Sequence, residues 1–244
     1  MNRFDKKIVI TTSWDDGHVL DLKLAKLLKK YGIPATFYIP LSSSKQEIIS
    51  PDSIRDLYKS FEIGCHTSTH ANLTQINTSQ ALNEIKNGKE GLEKILRHSV
   101  SMFSYPFGSY NSEIIPLLKD VGLKGARTTK IFSTEFINNK FKIATTIHAS
   151  NHSLTSYLRQ VSQHNVKLSL YLMTKKILYN WEAMSNESLL YVVEHGGIWH
   201  LWGHSWEIEK NRDWDTLERV FKMITQIKYK HPEIIMSTNS GLLK

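Results

Sequence analysis

The 244-residue chain carries a single cysteine, Cys65. No intrachain disulfide can form, which excludes a small secreted scaffold stapled by disulfides. No apolar run approaches the roughly 18 residues of a membrane span. No Pro-, Gly- or Ser-rich linker, low-complexity tract or fixed-period repeat interrupts the sequence, so residues 1–244 read as one domain. No G-x-G-x-x-G run follows the first predicted strand, against a dinucleotide-binding fold. There is also no run of five like charges. The 31 Lys and Arg against 23 Asp and Glu leave a net charge of +8, but the lysines are scattered. That pattern is a solvated basic surface rather than a nucleic-acid footprint. The first residues, Met1 to Lys7, lack the apolar core of a signal peptide, so the expectation is a cytoplasmic protein.

What is present is an alternation of strand-like and helix-like segments. Lys7 to Ser13 is β-branched and apolar, the mark of a buried strand. Leu20 to Tyr31 repeats leucine with a helical period and stops at Gly32-Ile33-Pro34. Further strands are expected at Ala35–Pro40, Glu62–His66, Val100–Tyr105, Gly125–Thr129, Ile143–Ile147, Gly197–His204 and Ile234–Ser237. Helices are expected at Pro51–Ser60, Thr78–Arg97, Ser112–Val121 and Trp214–Tyr229, with a mostly helical stretch from Leu154 to Val193. Such alternation predicts an α/β fold with a parallel sheet. Seven or eight units in one domain favour closure into a distorted (β/α)7–8 barrel over an open doubly wound sheet. A barrel gathers chemistry at the C-terminal ends of its strands.

Polar residues collect at those ends. The first strand runs into Asp15-Asp16-Gly17-His18. Adjacent carboxylates repel each other, so a cation must offset them: an arginine, a histidine or a metal. A bland alternative makes Asp16 or Asp21 a helix cap. The third strand runs into His66 and His70, spaced i, i+4, so both imidazoles can grip one ion. One carboxylate with two imidazoles is an open three-ligand site, and the second carboxylate is left as a base. The fourth strand ends in Ser104-Tyr105-Pro106-Phe107-Gly108 and a late strand in Trp202-Gly203-His204-Ser205-Trp206. Aromatic side chains beside His204 can stack on sugar rings.

Taken together these segments resemble the polysaccharide deacetylases, the family 4 carbohydrate esterases, in a divergent bacterial branch. The family's T-F-D-D-G appears as Ser13 to Gly17, and its H-S/T-x-x-H as His66-Thr67-Ser68-Thr69-His70. Its R-x-P-Y/F-G appears as Ser104 to Gly108 without the arginine, and its L-x-H-D/S as Trp202 to Ser205. No D-x-x-D-W match is found. The resemblance implies a divalent metal, zinc, held by Asp16, His66 and His70. It implies Asp15 as general base, His204 as general acid, and the Phe107 backbone N–H as part of an oxyanion hole. The expected reaction is removal of an N-acetyl or N-formyl group from an amino sugar, whether free, nucleotide-linked, lipid-linked or oligomeric. His18, Tyr105, Phe107, Trp202 and Trp206 are the candidate substrate contacts.

Two departures need replacements. The missing arginine pairs with the basic aspartate in the family; Arg127, ending a neighbouring strand, is the expected substitute. A carboxylate should tune His204, with Glu207, Glu209, Asp213 and Asp215 as candidates. Cys65 is expected to be a buried thiol. Two rival functions remain: an amidohydrolase acting on a cyclic amide or ureide, and a non-catalytic sugar- or metal-binding descendant.

Overall fold

The computed structural model describes residues 6–44, 46–161 and 166–244. Its centre is β1 (Ile8–Asp15), in which every residue is buried. A parallel strand covered on both faces is a continuous run of buried residues without hydrophobic alternation, which explains the composition of this segment. On one side β1 pairs along nearly its full length with β7 (Gly197–Gly203). On the other it pairs first with β8 (Ile235–Ser237), then with β2 (Thr36–Ile39). The sheet continues outward through β3 (Glu62–Cys65), β4 (Met102–Ser104) and β5 (Gly125–Arg127). β6 (Ile147–His148) lies on the far side of β7, and every pairing between strands is parallel.

Residues 143–149 join the two edges. Ile143 bonds across to Ala126 and Thr128 of the β5 edge, and Thr146 and Ala149 bond to His200 and Trp202 of β7. The sheet therefore curls into the distorted (β/α)7–8 barrel expected from the alternation. The expected strand Ile143–Ile147 is broken rather than continuous. Thr145 and Thr146 are drawn aside by backbone bonds with Lys130, Phe132 and Ser133, so only a single bridge at Ile143 and the short β6 remain.

The outer helices are α1 (Asp21–Lys30), α2 (Pro51–Tyr58), α3 (Thr78–Leu96) and α4 (Ile114–Asp120) in the first half. α5 (Leu154–Val161), α6 (Val166–Thr174), α7 (Trp181–His195), α8 (Ser205–Lys210) and α9 (Trp214–Lys230) follow. Several start where local chemistry dictates: Ser50 caps α2 ahead of Pro51, and Asn77 with Gln80 forms a reciprocal capping box on α3. The expected helical stretch Leu154–Val193 resolves into three helices, and its residues 162–165 lie outside those described. α8 is an addition to the expected elements. It begins directly after His204 and holds Glu207 in its first turn.

Candidate active site at the strand ends

The C-terminal ends of β1, β3, β4, β5 and β7 surround a cleft of about 600 Å³, a volume suited to a small ligand. Asp15 and Asp16 leave β1 in different roles. Asp15 is buried and ion-pairs through Oδ1 with the guanidinium of Arg127, itself fully buried at the end of β5. Burial alone would raise the Asp15 carboxyl, but Arg127, aided by His66 and His204, holds it below the ordinary carboxylate value.

The register explains how Arg127 comes to be there. In the β4–β5 pairing, Ser104 lies directly opposite Arg127. Ser104 is small, donates its hydroxyl to Asp15 Oδ2 at 3.3 Å, and leaves room for the guanidinium from the next strand. Arg127 then packs at 4.8 Å from the Trp202 ring and 5.3 Å from that of Tyr38, which adds cation–π attraction to a buried charge.

Asp16 has a left-handed backbone (φ 80°), which turns its carboxyl toward β3. The Nε2 atoms of His70 and His66 lie 3.1 and 3.5 Å from Asp16 Oδ1. His66 Nδ1 donates to the Ser104 carbonyl at 2.8 Å, which leaves Nε2 as the lone-pair nitrogen. Oδ1 itself is buried and has no aligned hydrogen bond among the described residues. Three potential ligand atoms, one carboxylate oxygen and two imidazole nitrogens, thus lie within 4.8 Å of one another. A cation site built from two imidazoles and one carboxylate requires this arrangement. Burial would raise the Asp16 carboxyl, yet His66 and His70 carry it well below its ordinary value.

The loop carrying these histidines is held from α3. Glu84 accepts from the Ser68 and Thr69 backbone N–H groups at 3.1 and 2.9 Å and from the Thr69 hydroxyl at 3.0 Å. Gly88 lets α3 lie against the loop, since a Cβ there would stand 2.5 Å from the Thr67 carbonyl carbon. Thr67 and His70 both take left-handed conformations, at φ 67° and 59°, so this fixation maintains a conformation that L-residues disfavour.

Across the cleft, His204 Nδ1 meets Glu207 Oε2 at 2.5 Å, and its Nε2 stands 3.9 Å from Asp16 Oδ2. Of the four candidate carboxylates, Glu207 is thus the one at His204. Burial would lower the His204 imidazole, but Glu207, Asp16 and Asp15 together raise it above the ordinary histidine value. Trp206 donates Nε1–H to Asp16 Oδ2 at 2.9 Å.

Several expectations are revised. His18 is not among the residues that line the cleft; its Nδ1 accepts from Leu20 N at 3.2 Å at the start of α1. Trp202 lines the cleft but is only 6% exposed, and its ring is taken up by Arg127 and by His148, stacked at 4.0 Å. It supports the site and has little face to offer a sugar. Tyr105 also lines the cleft, but its hydroxyl donates to the Phe141 carbonyl at 3.0 Å. Phe107, 54% exposed on a left-handed turn, and Trp206 also line the cleft, their rings 4.8 Å from His70 and 5.2 Å from His204. The helix-cap alternative fails: Leu20 occupies the N-cap of α1 without a side-chain cap. Cys65 is buried and its thiol is pushed up to about 12 by burial.

His148 and His152 escape a reading of the sequence alone. His148 ends β6 and His152 follows it with the same i, i+4 spacing as His66 and His70, and that repetition is the available signal.

The polysaccharide deacetylase pattern matches residues 2–126, half of the chain. The chain belongs to this family. A curated member to which it is similar is poly-β-1,6-N-acetyl-D-glucosamine N-deacetylase of Staphylococcus aureus (strain MRSA252). That match is 29% identical over 138 residues, 50% of this chain and 48% of that protein. Another is peptidoglycan-N-acetylmuramic acid deacetylase PdaC of Bacillus subtilis (strain 168), 30% identical over 118 residues, 47% of this chain and 25% of that protein. The chain thus spans half or less of the length of these relatives. Among solved structures, a Mycobacterium smegmatis chain assigned to the polysaccharide deacetylases superposes over 98% of this chain and 89% of its own, with TM-score 0.68 and 13% identity. A family 4 carbohydrate esterase from Streptomyces lividans superposes over 96% and 92%, with TM-score 0.57 and 13% identity. At such identities the likeness establishes the fold. No helix among the described residues is long and apolar enough to cross a membrane.

Proposed function

We propose that this protein is a metal-dependent N-deacylase that removes an acetyl group from an amino sugar. One observation carries the reading. Asp16, His66 and His70 converge on one point, with an ionised Asp15 on one side and the His204–Glu207 pair on the other. The named activities of the Staphylococcus and Bacillus relatives point the same way.

Asp16, His66 and His70 would hold the cation, and their donor set with an open position suits zinc. A divalent ion there supplies Lewis-acid polarisation of the amide carbonyl and a water of lowered pKa. The chain supplies the rest. Asp15, kept ionised and oriented by Arg127 and Ser104, accepts the proton of the water whose oxygen adds to the carbonyl carbon. The Phe107 backbone N–H, on its turn at the cleft, is assigned to the developing oxyanion by the family resemblance. His204, protonated because Glu207 and the aspartates raise it, passes a proton from Nε2 to the nitrogen as the C–N bond breaks. The products are a carboxylate and a free amine. Trp206 and Phe107 flank the sugar.

The test is amine release from N-acetylhexosamine monomers and β-linked oligomers with added zinc, for wild type and Asp15→Asn. Release that needs the metal and is lost in the variant is expected. Ring opening of a cyclic amide without release from any acylated sugar, or metal binding without hydrolysis, would overturn the assignment.

A further inference from the structure

Among the described residues, two groups bring three ligand atoms within 4.8 Å of one another. One is the Asp16–His66–His70 site. The other is His148, His204 and Glu207, on the opposite wall of the cleft. We infer that this second group is a separate divalent-cation site, weaker than the first and inhibitory when filled.

Its geometry is built rather than incidental. His148 ends β6, opposite Trp202 in the β6–β7 register, and its ring is stacked on that indole at 4.0 Å and 13°. Only 4% of it is exposed. His152 Nε2 meets its Nδ1 at 2.6 Å, so the outer nitrogen is occupied and the ring is held from behind, as a metal-binding histidine's ring is by its second hydrogen bond. The other nitrogen, Nε2, stands 2.9 Å from Glu207 Oε2 but has no aligned hydrogen bond among the described residues. His204 Nδ1 reaches the same oxygen from β7 at 2.5 Å.

Two imidazoles and a carboxylate form an open three-ligand set of the kind zinc accepts. Ligand atoms about 2.0–2.2 Å from an ion stand roughly 3.3 Å from one another. Glu207 would therefore draw back by less than about 1 Å, a small movement for a partly exposed side chain on a short helix. The group thus has two fillings. Without an ion, Glu207 Oε2 stays paired with His204 Nδ1; with one, the ion takes the place of that contact. Binding at His204 Nδ1 separates His204 from Glu207. The loss of turnover that follows rests on the proposed role of His204; the site itself does not.

Zinc stoichiometry by native mass spectrometry and calorimetry on the full chain tests this. The wild type should take two equivalents, the second weaker. His148→Phe, which keeps a ring against Trp202, should lose the second equivalent and keep the first. Glu207→Gln serves as the second variant should His148→Phe fail to give native circular dichroism. A single equivalent in the wild type under excess zinc, or two retained in the folded variant, overturns the site. Excess zinc should depress wild-type deacylation and leave His148→Phe at its own maximal rate. Absence of any deacylation would count against the proposed function alone, because stoichiometry still decides the second site.

Discussion

Arg127, at the end of β5, forms a buried ion pair with Asp15. Because Asp15 and Arg127 are both buried, removing one partner strands the other's charge. Arg127→Leu should cost about 3–5 kcal/mol, seen as a melting temperature lower by on the order of 10 °C. Adding Asp15→Asn should recover part of that loss, and a double variant no more stable than Arg127→Leu would show that the charges are not coupled. At His204, Glu207→Gln should lower kcat by roughly 10²-fold or more with little change in KM. Equal loss through KM would place Glu207 in substrate binding instead. The Asp-Asp pair and the two histidines were legible because they are contiguous in sequence. The partnership of Ser104 with Arg127 needed the β4–β5 register, so sequence supplied it only as a charge requirement. Trp202 and His18 differ from expectation because nearness to a strand end does not reveal which neighbours occupy a ring. His200 is a buried barrel residue hydrogen-bonded to the Ser13 hydroxyl at 2.8 Å. Burial, reinforced by Arg127, pushes it down to about 3. The folded state thus excludes a proton that the unfolded chain binds below about 6.5. The stability from neutral His200 is fully present above that pH and is lost as pH falls toward 3, at about 1.4 kcal/mol per unit. His200→Gln should flatten this slope in urea titrations at pH 4 to 7; an unchanged slope would assign it to other groups.

At the scale of elements, α3 is the clamp of the histidine loop. The helix period marked α3 in the sequence, but Gly88 carried no visible role there, because the close approach to Thr67 is a tertiary fact. Alanine is favoured over glycine in a helix interior by roughly 1 kcal/mol. Here the backbone of Thr67 blocks the added methyl, so Gly88→Ala should weaken zinc affinity and lower the melting temperature. A stabilised variant with unchanged affinity would mean that α3 does not position the loop. The central strand β1 was legible from its β-branched run. Segment 143–149 was not, since its kink is set by hydrogen bonds to the 130–133 loop.

For the whole molecule, barrel closure makes the site. Side chains from β1, β3, β5 and β7, spread along the sequence from Asp15 to His204, meet at one end of the curled sheet, whose β5 and β7 edges are joined by residues 143–149. Alternation was enough to anticipate the barrel, whereas which strand ends face each other across the mouth is set by the strand order, a tertiary property. The proposed hydrolysis depends on one cation held by Asp16, His66 and His70. The most direct measurement is calorimetric titration of metal-stripped protein with zinc, wild type beside Asp16→Ala and His70→Ala. The account predicts a tight equivalent in the wild type that disappears in both variants while their circular dichroism stays native. A tight equivalent that survives in both folded variants, or none in the wild type, would contradict it.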